Sequence, residues 1–101
     1  AERRELAYPP AVRLIYLGVI SRSREAARER AQQYADAMRA SGVCEVLGPA
    51  PYPVARLNDE WRYRIALKSR QPKALRAAVR ERVLAAAHAD RNTRLAVNVD
   101  P

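Results

Sequence analysis

Arg62, Arg64 and Lys68 alternate with Tyr63, Ile65 and Leu67 along Arg62 to Ser69. That is the period of a strand with one apolar and one cationic face. Neighbouring positions on one face lie about 7 Å apart, a spacing that roughly tracks successive phosphates of a single nucleic-acid strand. The chemistry this row can do is therefore binding of an anionic chain. The competing reading is charge placed to protect a sheet edge. Just before the row runs Val46-Leu47-Gly48-Pro49-Ala50-Pro51, then Pro53 and Arg56. Gly48 permits backbone angles that a side chain forbids. The prolines fix φ and remove backbone donors, so this stretch reads as a stiff, turn-like connector that cannot be a central strand. Tyr52, Trp61 and Tyr63 flank it. The alternation turns Tyr63 inward, which leaves Trp61 as the better candidate to stack on an unpaired base. Packing beneath the proline loop is its structural alternative.

A second cationic group, Arg70, Lys73 and Arg76, surrounds Pro72, which suits the first turn of a helix. Cations there oppose the helix dipole. The arrangement becomes favourable when a phosphate or a carboxylate-rich peptide tail docks against it. A third group, Arg24, Arg28, Arg30 and Arg39, sits among several acids and reads as a solvated helix face. Catalysis finds no constellation. His88 is the single histidine and lies near a helix end, with no second His or Cys beside it for a metal. Gly18, Gly42 and Gly48 are too scattered for a phosphate loop. Asp59-Glu60 is a solvated turn, not an acid-base pair in a dry pocket. No catalytic residue, metal or cofactor is expected in this chain. The one cysteine, Cys44, excludes an internal disulfide and is expected as a buried, inert thiol in a strand.

The elements that position these groups follow from the patterning. At 101 residues the chain is one domain with one modest core. Its net charge of +8 is uneven: residues 1–50 hold eight Lys/Arg against six Asp/Glu, and residues 51–101 eleven against five. Such a balance favours polyanion partners through counterion release, although richness in Arg and Ala also follows from a GC-rich genome. No apolar run approaches the roughly 20 residues of a membrane span, and no membrane partner is expected. Residues 1–7 read as the tail of a charged helix, so the chain is expected to be a piece of something larger, with residues 1–11 leading in from a preceding domain. Val12 to Ser21 reads as a central strand. Arg24 to Ala40 reads as a helix capped by Ser21 or Ser23, its stripe Ala27, Ala31, Tyr34, Ala35 and Met38. Val43 to Leu47 reads as a short strand, and Asn58-Asp59 as a turn. A second helix runs from Pro72 to about Ala89 on the stripe Leu75, Val79, Val83 and Ala86. Thr93 to Val99 is the last strand, with Leu95, Val97 and Val99 inward.

The order β-α-β-β-α-β predicts a ferredoxin-like α+β sandwich, a four-stranded antiparallel sheet with both helices on one face and the first and third strands central. The other face would carry Arg62, Arg64, Lys68 and Arg94. The first strand would add either Arg13, Ile15, Leu17 and Val19, or Val12, Leu14, Tyr16 and Ile20. A face both apolar and cationic suits a partner better than bulk water.

With these residues in place, the chain resembles the C-terminal domain of PriA, the primosomal replication-restart helicase family (primosomal protein N′). The resemblance spans residues 1–101. It rests on Glu5-Leu6-Ala7-Tyr8-Pro9-Pro10 with Arg13-Leu14, on Val46-Leu47-Gly48-Pro49 with Pro51 and Arg56, on Trp61-Arg62-Tyr63-Arg64 with Ala66-Leu67-Lys68, and on Asn98-Val99-Asp100-Pro101. Ala11, Arg64 and Asn98 depart from the family's usual Phe, Gln and Asp. The resemblance implies recognition of single-stranded or branched fork DNA. It also implies packing against the helicase core of the same polypeptide, whose ATP and zinc sites lie outside this chain. It further implies docking of the acidic tail of single-stranded-DNA-binding protein at the start of the second helix. Here that start offers Arg70, Lys73 and Arg76, with Lys73 a substitute, since the family's pocket cation falls closest to Pro72. Together these give the expectation of a non-catalytic DNA-binding and docking module. Its DNA contacts would be Arg13, Arg56, Trp61, Arg62, Arg64, Lys68 and Arg94. A mainly docking role is the alternative. A small RNA-binding or ribosomal-type domain is a third reading, against which the Tyr-Pro-Pro and closing Val-Asp-Pro stand. A bacterial cytoplasmic, nucleoid-associated location follows from the resemblance and the free Cys44.

Overall fold

The computed structural model describes residues 12–99. The Glu5–Pro10 motif, the leading helix tail and the closing Asp100-Pro101 lie outside the described residues. Strand β1 (Arg13–Ser21) leads to helix α1 (Arg24–Ser41), then to β2 (Glu45–Leu57) and β3 (Glu60–Ser69). A second helical rod follows as α2 (Pro72–Val79), a π-helical turn (Arg80–Leu84) and α3 (Ala85–Ala89), and β4 (Arg94–Val99) closes the sheet. The sheet order is β2-β3-β1-β4, every pair antiparallel, so the first and third strands are central. This is the ferredoxin-like sandwich expected from the patterning.

Alternation decides which residues meet the helices. Ile15, Leu17 and Val19 of β1 stand opposite Leu67, Ile65 and Tyr63 of β3. All six are buried, in one cluster with Ala27, Ala31, Tyr34, Ala35 and Met38 of α1 and Leu75, Ala78, Val79 and Val83 of the second rod. The rod's apolar positions 75, 79 and 83 recur every four residues, a spacing that drifts around an α-helix of 3.6 residues per turn. The wider turn at Arg80–Leu84 takes back that drift and returns Ala86 and Ala87 to the core.

The two βα junctions are built alike. Ser21 Oγ donates to Asn92 O (2.7 Å) and accepts from the Ser23 N–H. Ser69 Oγ donates to Val43 O (2.6 Å) and accepts from the Gln71 N–H. Both serines are buried, and each ties a helix approach to a neighbouring chain segment. The helix starts then differ. Ser23 caps α1 by accepting from the Ala26 N–H, whereas Gln71 makes no side-chain cap on α2, whose first turn holds no acid.

Two expectations need correction. The proline stretch is not a connector after a short strand: β2 runs unbroken from Glu45 through Pro49, Pro51 and Pro53 to Leu57. It can do so because β2 is an edge strand, where missing donors face away from the ladder. Register shifts at Leu47/Ala50 and Pro51/Arg56 absorb the misfit. Gly48 (φ 102°) is required there, since a Cβ would lie 2.9 Å from the Arg64 carbonyl oxygen. Cys44 lies just before β2, half-buried, not inside a strand; burial still pushes its thiol up, away from the reactive thiolate.

Candidate nucleic-acid interface

The helix-free face is fixed by register. Four rows cross it. Glu45, Lys68 and Leu14 form the first. Leu47, Ala66, Tyr16 and Asn98 form the next row, and Ala50, Arg64, Gly18 and Ala96 the one after. Arg62, Ile20 and Arg94 complete the face as a fourth row. The first strand therefore contributes Leu14, Tyr16, Gly18 and Ile20. Arg13 belongs to the opposite face with Ile15, and does not share a surface with Arg62 and Arg64.

The cations of this face are not equivalent. Arg94 is committed: its two terminal nitrogens reach Glu60 Oε2 and Oε1 at 3.0 and 3.2 Å. The Arg94 hydrogen bonds, together with Arg62 and Arg22 nearby, hold the Glu60 carboxyl below its ordinary range. Arg56 does not belong to this face: it stands opposite Trp61, 5.7 Å from its ring, and pairs with Asp59 at 3.0 Å at the exposed hairpin tip. Arg62, Arg64 and Lys68 make no ion pair among the described residues. Arg62 is half-buried beside Ile20, and its Nε is enclosed without a hydrogen-bond partner. Arg64 is exposed, with its guanidinium 5.5 Å from the Tyr16 ring centre and 5.6 Å from that of Tyr52.

The aromatics are distributed differently from expectation. Trp61 points to the helix side, packs against the core and is approached by Arg24 (5.5 Å) and Arg56 (5.7 Å). Tyr63 is buried, as its alternation requires. The helix-free face instead carries an aromatic pair, Tyr16 and Tyr52. Tyr16 is legible once the second of the two β1 registers is chosen. Tyr52 is not, because the bulges in β2 break the alternation that would have placed it. At one end the face opens into a wide groove of about 530 Å³ lined by Ile20, Glu60, Arg94, Arg22, Arg91 and Ser23, among others.

Arg13 finds a different neighbourhood. With Ile15, Pro72, Leu75, Arg76 and Val99 it lines a notch of about 210 Å³ at the start of α2. Its floor is apolar, and Arg13 and Arg76 are its cations. Arg70 and Lys73 are exposed nearby in sequence but do not line it. Val97 and Val99 occupy core-side positions yet stay 38% and 58% exposed, because the helical layer does not reach that corner. Among the described residues no group of three His, Cys, Asp or Glu side chains could hold a metal ion, and no helix is long and apolar enough to cross a membrane.

The family model for the primosomal protein N C-terminal domain matches residues 4–101. The chain is 41% identical over 75 residues to the probable replication restart protein PriA of Deinococcus radiodurans, covering 72% of this chain and 8% of that protein. It is 33% identical over 86 residues to replication restart protein PriA of Bacillus subtilis, covering 80% of this chain and 10% of that protein. The chain thus spans a small fraction of the length of these curated relatives. In fold it is similar to a de novo designed protein, Foldit4, with a TM-score of 0.69 over 89% of this chain and 97% of that one, at 11% identity.

Proposed function

The chain belongs to the family of the primosomal protein N C-terminal domain, the domain of replication restart protein PriA, and on that premise we propose that its helix-free face holds the backbone of single-stranded or fork DNA. The observation that carries this reading is the contrast among cations. Arg94 and Arg56 are spent on carboxylates, while Arg62, Arg64 and Lys68 stand in one row without an ion pair among the described residues. Contacts of this kind fix a strand without reading its bases. Arg13, Arg56 and Trp61, on the other side, fall out of this surface. Arg94 can join it only by exchanging a carboxylate for a phosphate. The chain contributes binding, not chemistry. The parent polypeptide would supply the helicase core with its ATP and zinc sites, in the bacterial cytoplasm at the nucleoid.

The test is fluorescence anisotropy of the chain with single-stranded and forked DNA across a salt series. Each single-strand phosphate contact contributes about 0.7 to the slope of log K against log salt. Three contacts give a slope near 2 by that rule, and the Arg62→Glu/Arg64→Glu variant should lose most of it. Unchanged affinity in that variant overturns the reading.

A second reading is favoured by the notch. An uncapped helix start, an apolar floor at Leu75 and Val99, and cations at Arg13 and Arg76 together suit a short acidic peptide end that carries an apolar residue. The acidic tail of single-stranded-DNA-binding protein has that chemistry, with Arg70 and Lys73 adding attraction from outside the notch. The parent's helicase core would close over the same corner.

A further inference from the structure

The middle of the helix-free face carries features that phosphate binding alone does not require. Tyr16 and Tyr52 come from different strands, yet both lie against the Arg64 guanidinium, at 5.5 and 5.6 Å. Tyr52 reaches there from the edge strand by lying across the sheet over Gly18. A Cβ on that glycine would stand 2.7 Å from the Tyr52 hydroxyl oxygen and 3.7 Å from its Cζ. Most positions around the two rings are small, Ala66 beside Tyr16 and Ala50, Gly18 and Ala96 in the row of Arg64, with Asn98 and the exposed Leu47 the larger members of the Tyr16 row. Lys68 stands one row before this patch and Arg62 one row after it. The strand direction therefore reads cation, aromatic pair with cation, cation, with a floor low enough for a flat group to lie on.

We propose that Tyr16, Tyr52 and Arg64 form a stacking platform for an unpaired base of single-stranded DNA, flanked by phosphate contacts at Lys68 and Arg62. Every base has a π-face, so such a platform prefers single strands to duplex without selecting sequence. The guanidinium lies within 5.6 Å of both ring centres and brings a cation to the base that stacks there, as Arg does in single-strand channels. The charge of the flanking cations selects a polyanion, and the rings select one whose bases are free. This rests on the reading that the face binds DNA and adds which part of the DNA the centre of the face takes.

The experiment compares a thymidine oligonucleotide with an abasic oligonucleotide of the same length on the unmutated chain, both over a salt series. The phosphates are equal, so the salt slopes should match. The thymidine strand should bind at least about fivefold tighter, the lower end for one stacked base. Tyr16→Leu/Tyr52→Leu should erase that difference and leave the slope intact. Gly18→Ala, which drives a methyl into the Tyr52 hydroxyl, should reduce it while keeping both rings. Equal binding of the two oligonucleotides by the unmutated chain, with a clear salt slope, overturns the platform and leaves the basic face standing. No binding of either at low salt overturns both.

Discussion

The helix-free face and the notch at the start of α2 both use arginine, but they offer it in different shapes. On the face, Arg62, Arg64 and Lys68 repeat along β3, on a flat sheet with Tyr16 and Tyr52 between them. In the notch, Arg13 and Arg76 flank a concave apolar floor made by Ile15, Pro72, Leu75 and Val99. A flat repeating row has no end and suits a polymer. A pocket of about 210 Å³ takes one side chain and its carboxylate. The same charge thus selects by geometry, and the strand ladder supplies the first geometry while an uncovered corner of the helical layer supplies the second. The comparison breaks cleanly if one set of substitutions affects both ligands.

The largest expected effect is that separation. Arg13→Glu/Arg76→Glu should abolish binding of an acidic peptide with an apolar end and change single-stranded DNA affinity by less than about threefold, a residual that long-range charge accounts for. Arg62→Glu/Arg64→Glu should do the reverse. Titration of each variant with both ligands at one salt concentration decides it. Equal loss of both ligands in either variant would mean that the net positive field, not the two shapes, selects partners.

Next in size is Leu75→Ala. Leu75 is fully buried and also floors the notch, so its truncation should cost about 2–5 kcal/mol of stability, measured by urea unfolding. Val99→Ala removes floor from the same notch at a position that is 58% exposed. It should cost well under about 1 kcal/mol while still weakening peptide binding. The pair sharpens the comparison, because only Val99→Ala acts on the notch without loosening the core that both regions share.

Acid should separate binding from folding. Asp90 accepts hydrogen bonds from the Thr93 hydroxyl, the Asn92 N–H and Arg30 Nε at 2.8 Å. The Thr93 bond, then the Asn92 N–H and Arg30, hold its carboxyl below the usual aspartate range. A carboxyl lowered on folding stabilises fully above its unfolded value near 4. That contribution is lost as pH falls from there through its folded value. The arginines of both regions stay charged throughout. Loss of DNA binding below about pH 4, where phosphates stay ionised, would therefore report release of the clamp between α1 and the segment leading into β4, whereas the acidic peptide loses its own carboxylate charge in the same range. Asp90→Asn should flatten the pH dependence of stability, read as urea midpoints between pH 3 and pH 7.

Much of this was legible from residue order, and the failures have physical causes. The six elements, the central pair of strands and the helix-side residues of β1 and β3 follow from alternation and helical spacing, which tertiary packing reinforced. Arg13 was misplaced because β1 is apolar on both faces, so its pattern alone does not choose a register; pairing of Val19 with Tyr63 does. Trp61 was overvalued because the strand begins at Glu60, not Arg62, so the alternation that turns Tyr63 inward turns Trp61 inward too. Tyr52 was undervalued because of its own strand. The two register shifts in β2 detach face from sequence parity across Pro49 to Arg56. Arg94 looked free because its partner, Glu60, is 34 residues away in sequence. The notch was half legible: the dipole argument found Arg76, but only the fold brings Arg13 and Val99 beside it.

The smallest expected effect concerns the hairpin that carries the cationic strand. Asn58 (φ 55°) and Asp59 (φ 63°) are the two central residues of the turn joining β2 and β3, both left-handed as a type I′ hairpin requires. Asn tolerates this conformation, but Ala does not, so Asn58→Ala should cost about 1 kcal/mol. Asp59→Gly relieves the backbone at the second position and gives up the exposed Arg56–Asp59 pair, which contributes little. It should raise the urea midpoint slightly. The same change frees Arg56 from its carboxylate. Arg56 stands on the Trp61 side of the hairpin. If, once freed, it reaches round the tip to the helix-free face, Asp59→Gly should also tighten single-stranded DNA binding and steepen its salt slope by about 0.7. If Arg56 serves only Trp61 and the turn, stability will rise while the slope stays where it was.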